Sequence, residues 1–190
     1  MNFDAEYYNR FYVDPLTRAT SPQEQRRQAQ FIAAFLNHLG VEVTCIADIG
    51  CGLGTVLKQL GKAFPCAQLT GVEFSEYLVK THGWRSGSVV NYVDDPFDLV
   101  VCNDVLGYLS ARECNLAIQN LAKLTRTALY LSVLTEEDMD ICDQEHTDMR
   151  QMARPHKWYR QRLEKHFVNV GGGLFLRKPL ALPVWRLERL

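Results

Sequence analysis

The chain has 190 residues, about the size of one domain, and its 47% hydrophobic and 23% charged residues are ordinary for a globular protein with a buried core. Its 21 Lys and Arg residues are balanced by 22 Asp and Glu residues, which gives no support to nucleic-acid binding through a basic face. The sequence shows neither a long apolar run nor a basic-then-apolar N-terminus, so we expect a cytoplasmic protein with neither membrane nor nucleic-acid partners.

Residues 1–40 are predicted to form an N-terminal helical cap. Tyr7, Tyr8, Phe11 and Tyr12 cluster near its start, and the pattern leaves open whether they pack against the core or cover a ligand. The Ser21-Pro22 pair suits the N-cap and first turn of a helix, whose apolar positions recur every three to four residues.

Strands and helices alternate through residues 41–134. We predict strands at 43–47, 68–72, 97–102 and 128–133, a weak strand within 82–93, and helices at 55–63, 75–80 and 111–124. Repeated units of this kind, with short connections, imply a parallel sheet that has helices on both faces.

The pattern changes after residue 134. Residues 135–148 are acidic and polar, residues 158–166 have helical periodicity, and residues 167–176 are typical of a β-hairpin with three glycines in its turn. The final PVWRLERL alternates apolar and charged residues, which predicts an edge strand or a docked tail. We find no repeat or linker, so we expect one domain.

A glycine-rich turn, Asp48-x-Gly50-x-Gly52-x-Gly54, directly follows the first predicted strand. Glycine allows a sharp turn and the close approach of a ligand, and the next helix presents free amides to it. The spacing differs from the G-x-G-x-x-G of dinucleotide sites. A second acid, Glu73, ends the next strand, where a carboxylate can accept hydrogen bonds from ribose hydroxyls, and Phe74 beside it could stack on a purine.

The segments IADIGCGLG, LTGVEFS and FDLVVCNDVLGYL resemble, in order, the motifs of class I S-adenosylmethionine-dependent methyltransferases. The resemblance covers about half of the chain, residues 41–133. It implies a single-domain Rossmann-like fold: a mostly parallel seven-stranded sheet with helices on both faces and an antiparallel C-terminal hairpin. It also implies a donor-binding core at 41–134, an acceptor-side segment and helix at 135–165, and a hairpin and tail at 166–190.

The resemblance implies S-adenosylmethionine as cofactor, with S-adenosylhomocysteine as product. Asp48 would hold the methionine amino group, Glu73 would bind the ribose, and Asn103 would line the methionyl side. The family usually has an acid at the end of the third strand, but Ser88 stands there, with Asn91 or Asp94 as alternatives, and the helix before it is short. The full expected donor set is Asp48, Gly50, Cys51, Gly52, Gly54, Glu73, Phe74, Ser88, Val89, Asn103, Asp104, Tyr12 and Arg18.

Methyl transfer from a sulfonium is an in-line displacement, so the protein mainly positions the nucleophile, and a base is needed only for a protonated one. Candidate catalytic residues are Asp104, Tyr108 and His146; His146 has the best intrinsic pKa but also fits a surface position. The short chain and neutral charge favour a small-molecule or carrier-borne acceptor, and either a monomer or a homodimer.

The six cysteines form no CxxC pair, which predicts reduced thiols and no bound metal. The group Cys142, His146 and His156 could suggest a metal site, but spacing alone is poor evidence. Two other functions stay open. One is a nucleotide-dependent oxidoreductase, which the glycine spacing disfavours. The other is a donor-binding but catalytically silent interaction module, which the serine at position 88 and the short helix favour.

Overall fold

The structure, a computed structural model, describes residues 3–184. Helices and strands alternate as the sequence predicts. In chain order they are α1 (Ala5–Tyr8), a π-helical turn (Asn9–Val13), α2 (Pro22–His38), β1 (Cys45–Ile49), α3 (Thr55–Ala63), β2 (Gln68–Glu73), α4 (Glu76–His82), β3 (Arg85–Ser86), β4 (Phe97–Asn103), a 3-10 turn (Leu106–Tyr108), α5 (Ala111–Leu124), β5 (Thr125–Ser132), α6 (Glu136–Met139), α7 (His156–Leu163), β6 (Phe167–Gly171) and β7 (Leu174–Arg177).

The strands form one seven-stranded sheet in the order β3-β2-β1-β4-β5-β7-β6. The first five strands are parallel, and β7 runs antiparallel to both β5 and β6. The predicted fold class is therefore confirmed. The strand order reverses between β1 and β4, and in open α/β sheets ligands bind beyond the carboxyl ends of the strands at such a point.

Each face of the sheet is covered by its own hydrophobic cluster. One face packs against α5 and α7 through side chains such as Ile118, Leu121 and Leu163. The other packs against α2 and α3 through side chains such as Ile32 and Leu60. The apolar sequence of β4 follows from this arrangement, since Leu99 to Cys102 are all inaccessible to solvent and face both clusters.

The helix starts follow the local sequence. Ser21 accepts from the Glu24 amide while the Glu24 carboxylate accepts from the Ser21 amide, and Pro22 occupies the first turn of α2. Ser110 and Glu113 form the same capping box at the start of α5. Such boxes are encoded within four residues, so sequence patterns predict these boundaries well.

Several boundaries differ from the predictions. Strand β1 spans Cys45–Ile49 instead of 43–47, β3 has only two residues, and α7 begins at His156. The acidic stretch contains the short α6, and the segment at Asn9–Val13 is helical. The predicted C-terminal edge strand or tail lies largely at residues 185–190, outside the described residues. Within residues 3–184, no helix combines the length and apolar composition that a bilayer span requires.

Candidate functional site

The carboxyl ends of four neighbouring parallel strands bring the predicted site residues to one edge of the sheet. Asp48 lies near the end of β1, Glu73 ends β2, Asn103 ends β4 and Ser132 ends β5. These four strands are adjacent in the order β2-β1-β4-β5, so residues distant in sequence meet at a single edge.

Backbone hydrogen bonds shape the glycine-rich loop that follows β1. The amides of Gly50 and Cys51 both donate to the Val72 carbonyl, at 2.8 and 3.1 Å. Gly52 has a φ of 54°, in the left-handed region, and a Cβ placed there would meet no atom within 4 Å. The requirement for glycine at this position is therefore conformational, and the open space beside its backbone could admit a ligand.

Trp84, which immediately precedes β3, supports the same loop from the other side. Its indole Nε1 donates to the Gly52 carbonyl at 2.9 Å. A Cβ at Gly54 or at Gly71 would overlap its ring, so both glycines make room for the indole. Trp84 could not be predicted as a site residue from sequence, because its contact with the glycine-rich loop spans 32 residues and forms only in the folded sheet.

Asp48 is a buried carboxylate, 3% exposed, and no hydrogen bond to its side chain is present among residues 3–184. Burial raises its pKa to about 7, and the nearby Glu73 carboxylate contributes in the same direction. A buried carboxylate without donors attracts a cationic or hydrogen-bond-donating ligand, because its lone pairs are otherwise unsatisfied.

Glu73 is also buried, but its carboxylate is held by backbone amides. One oxygen accepts from Gly52 at 2.8 Å, and the other accepts from Phe74 at 2.8 Å and Ser75 at 3.0 Å. A carboxylate has about four acceptor positions, so these bonds fix its orientation and leave capacity for one more donor.

The region after β3 only partly matches the expected purine site. Phe74 is 67% exposed at this edge, a position open to stacking. The Ser88 side chain accepts from the Val90 amide at 3.2 Å within a turn, and Val89 is buried in the core. The alternative Asp94 is already bonded to Tyr92 at 2.7 Å and to Arg85, which makes it part of a surface ion pair.

A polar cluster joins the ends of β4 and β5 to α2. The side-chain Oδ1 of Asn103 accepts from Gln28 at 2.7 Å and from Ser132 at 2.7 Å. The side-chain Nδ2 of Asn103 donates to Asp104 at 3.0 Å. Gln28 also donates to the Tyr130 hydroxyl at 2.8 Å. Gln28, Tyr130 and Ser132 were not among the predicted site residues, since their pattern positions look like ordinary helix and strand positions.

Asp104 has two features of a functional residue. Its φ of 56° makes it the one non-glycine residue in the left-handed region among residues 3–184, and such strain concentrates at functional sites. Burial raises its pKa, although hydrogen bonds from Ser132 and Asn103 act in the opposite direction. A carboxylate with a raised pKa and a partly exposed position is suited to accept a proton.

The N-terminal aromatic residues pack against elements near this edge. Tyr7, Tyr8 and Phe11 form a small cluster with Leu78 of α4. The Tyr7 hydroxyl lies 2.9 Å from that of Tyr108, which donates to Asp148 at 3.1 Å. Burial raises the pKa of Tyr12, and the charges of Tyr7 and Asp104 add to the effect.

Two predicted residues lie apart from this cluster. One ring nitrogen of His146 lies 2.8 Å from Asp143 and the other 3.0 Å from the Leu16 carbonyl, which ties a surface loop to the N-terminal segment. With two acceptors on its ring, His146 favours the protonated form, and its pKa is raised mainly by Asp143. Arg18 lies in the loop before α2, with its charge near Glu24.

A cleft of about 1250 Å³ adjoins the polar cluster at Ser132. It lies between the end of β5, α7 and the β6–β7 hairpin, and its lining mixes polar residues such as His156 and Asn169 with apolar ones such as Tyr159. Within residues 3–184, no three His, Cys, Asp or Glu side chains are placed to hold a metal ion.

This strand order, with a glycine-rich loop after β1 and an acid at the end of β2, defines the class I S-adenosylmethionine-dependent methyltransferase fold. Residues 47–127 match the family model described as a methyltransferase domain. The predicted resemblance is thus confirmed over residues 47–127, and the strand order of the whole sheet is that of the class I methyltransferase fold.

Known proteins of this kind are similar over different shares of the chain. A malonyl-[acyl-carrier protein] O-methyltransferase from Legionella pneumophila is 31% identical over 88 residues, covering 40% of this chain and 31% of its own length. The chain therefore spans about a third of that curated relative. The magnesium protoporphyrin IX methyltransferase of Synechocystis PCC 6803, solved with bound S-adenosylhomocysteine, shares the fold at a TM-score of 0.65 and 19% identity, covering 87% of this chain and 86% of its own.

A second structure, an S-adenosylmethionine-dependent methyltransferase from Clostridium acetobutylicum, has a TM-score of 0.63 at 11% identity, and the match covers 87% of each chain. At such low identities the two solved structures establish the fold alone, and they do so over most of the chain.

Proposed function

We propose that this protein transfers a methyl group from S-adenosylmethionine to a nucleophilic atom of a small-molecule or carrier-borne acceptor. The observation that carries the proposal is the pair of buried carboxylates, Asp48 and Glu73, on either side of the open glycine-rich loop. One lacks a donor, and the other is oriented by three backbone amides.

The residues fit the donor. Asp48 would pair with the methionine ammonium, because a buried carboxylate without hydrogen bonds gains most from a cationic partner. Glu73, already oriented, would accept from one ribose hydroxyl, and the exposed Phe74 would pack on the adenine. Ser88, at the turn after β3, would sit beside the same ring. When bound, the donor supplies a methyl group that its sulfonium already activates for displacement.

The protein's own contribution is positioning, water exclusion and, for a protonated nucleophile, removal of a proton. Asp104 would accept that proton on a side-chain oxygen, since its raised pKa makes it a stronger base than an ordinary carboxylate. Tyr12 and Tyr108 would form the cover that excludes water. This proposal assigns no role to His146, whose ring nitrogens already face Asp143 and the Leu16 carbonyl.

The relatives suggest where an acceptor search should start. Two of them are named for a malonyl group on an acyl carrier protein and for a magnesium porphyrin. The cleft beside Ser132 is large enough for such ligands, since small-molecule sites usually have volumes of about 300–1,000 Å³. We further propose a reducing, cytoplasmic setting, which is consistent with six free cysteines.

Calorimetric titration with S-adenosylmethionine, S-adenosylhomocysteine and NAD tests the donor site. We expect one site for the two adenosyl compounds, no binding of NAD, and a large loss of affinity in Asp48→Asn. Binding of NAD alone would overturn the proposal in favour of an oxidoreductase.

The silent interaction module is the second candidate function, favoured by the serine at position 88. It shares donor binding, so turnover must separate the two. Incubation with methyl-labelled donor, malonyl carrier protein and a panel of small carboxylates, amines and thiols should label an acceptor. Labelling that disappears in Asp104→Asn supports the enzyme, whereas donor binding without any labelled product supports the silent module.

A further inference from the structure

A strongly basic cleft lies at the edge of the sheet opposite the proposed donor site. It has a volume of about 350 Å³ and is lined by Lys123, Arg162, Lys165, His166 and Arg177. The other described lining residues are uncharged, so no described acid faces these side chains within the cleft. The whole chain carries a net charge of -1, so this concentration of positive charge is local.

The topology separates this cleft from the methyl-transfer site. Lys123 lies in the last turn of α5, just before β5 begins. In the sheet register Phe167, the first residue of β6, pairs with Arg177, the last residue of β7. The cleft residues thus lie where β5 and β6 begin, at the amino edge of the sheet. Asp48, Glu73 and Asn103 lie at the opposite, carboxyl edge.

Two guanidinium groups in the cleft are held in place by neighbours that carry no charge. The Arg162 guanidinium carbon lies 3.6 Å from the centroid of the Trp158 ring, and Nη1 donates to the Trp158 carbonyl at 2.9 Å. The guanidinium carbon of Arg177 lies 5.8 Å from the centroid of the Phe167 ring, and Nη1 of Arg177 donates to the His166 carbonyl at 2.9 Å. Both groups therefore keep N–H donors that are oriented but not matched to an anion.

The lack of an acidic partner contrasts these two arginines with three others that are paired. Arg126, Arg150 and Arg160 form ion pairs with Asp98, Asp148 and Glu164, at 2.7, 2.8 and 3.6 Å. Among residues 3–184, Arg162 and Arg177 form no such pair, and the buried Nε of Arg162 has no hydrogen-bond partner. An oriented donor that is buried without an acceptor is costly, unless a ligand supplies the acceptor.

His166 reports the uncompensated positive potential. Its pKa is lowered first by burial and then by the charges of Arg177, Lys165 and Lys178. An anion in the cleft would offset those charges and raise the pKa of His166 again.

We propose that this cleft is a binding site for a small, multiply charged anion with phosphoryl oxygens, separate from the methyl-transfer site. Four permanent positive charges line the cleft, and planar guanidinium groups match phosphate oxygens through paired N–H donors. Its concave form and volume suit a small ligand better than a macromolecular surface. The site requires no part of the proposed methyl-transfer chemistry.

Calorimetric titration with inorganic tripolyphosphate at low ionic strength tests the proposal. We expect one site per chain, and a loss of affinity of about tenfold for each arginine in Arg162→Gln and Arg177→Gln, because each removes a charge-assisted hydrogen bond. Arg160→Gln is the matched control on the same helix and should bind like the wild type. Lys123 and Lys165 are more exposed, so their replacement leaves the packed aromatic rings intact. Lys123→Gln and Lys165→Gln should also weaken tripolyphosphate binding.

Three outcomes would overturn the proposal: no binding by the wild type, equal losses in Arg160→Gln and the cleft variants, or a stoichiometry well above one. The proton NMR titration of His166, assigned with His166→Gln, is an independent measurement and should shift to higher pH with tripolyphosphate. An unchanged His166 titration would place the anion elsewhere. Binding of S-adenosylhomocysteine should be the same in every cleft variant, so failure of this proposal and failure of the proposed function are distinguishable.

Discussion

Replacement of Asp48 by asparagine should increase the stability of the free protein while weakening donor binding. Burial and the neighbouring Glu73 raise the pKa of Asp48 from 3.8 to about 7. The native state therefore binds the carboxyl proton more tightly than the unfolded chain does. The resulting free-energy contribution to stability is fully present below the pKa of the unfolded chain. It is lost as the pH rises through the native pKa of about 7. At neutral pH the ionised group thus opposes folding, and asparagine removes that opposition.

The size of the effect follows from the two pKa values. At about 1.36 kcal/mol per pH unit, the advantage of Asp48→Asn should grow from about 2 kcal/mol near pH 5 to about 4 kcal/mol near pH 8. Loss of hydrogen bonds to a charged ammonium costs about 1.5–3 kcal/mol, so donor affinity should fall about 10- to 150-fold. Urea unfolding at the two pH values and calorimetry with S-adenosylhomocysteine measure the two quantities.

Asp98→Asn is the matched control, because Asp98 is a buried carboxylate at the opposite edge of the same sheet. Burial acts against its ionisation, but hydrogen bonds from Thr44 and Arg126 outweigh that effect and lower its pKa to about 2. Its stabilising contribution is present above the unfolded pKa, so Asp98→Asn should destabilise the protein at neutral pH and leave donor affinity unchanged. An Asp48→Asn protein that is less stable than the wild type near pH 8, with unaltered donor affinity, would refute the reasoning.

Three further substitutions test other parts of the site. Trp84→Phe keeps most of the packing on the glycine-rich loop but loses the hydrogen bond to Gly52, which is worth about 1 kcal/mol. Calorimetry should therefore show donor affinity reduced by about fivefold. An unchanged affinity would exclude Trp84 as a support of the loop. Asp104→Asn should fold normally, because asparagine tolerates the left-handed conformation. With a protonated acceptor it should lower kcat by about 10²- to 10⁴-fold and abolish the fall in rate at low pH. A wild-type pH profile would exclude Asp104 as the base. His146→Gln should leave kcat within about twofold, as expected of a surface substitution, and a loss as large as that of Asp104→Asn would assign His146 a catalytic role.

The donor half of the site could be predicted from sequence because its determinants are local. The run from Asp48 to Gly54 combines a buried strand, a turn that needs glycine and a helix start within a few residues. Glu73 could be assigned in the same way, since it ends the next strand. The short β3 could not be placed, because two residues carry no periodicity, and its position is set by pairing with β2.

The proposed acceptor half is built from contacts between segments that are far apart in sequence. Tyr7 meets Tyr108, Tyr108 meets Asp148, and Gln28 meets Asn103. Tyr108 could be predicted because it lies in the motif that follows β4. Gln28 could not, because no pattern within a window of a few residues encodes its contact with Asn103. The same observation explains the role of the N-terminal segment. Tyr7 and Tyr8 pack with Leu78 of α4, and the Tyr7 hydroxyl lies 2.9 Å from that of Tyr108. We expect packing and covering to be one function of this segment, so a substitution such as Tyr108→Phe should affect acceptor turnover and stability together.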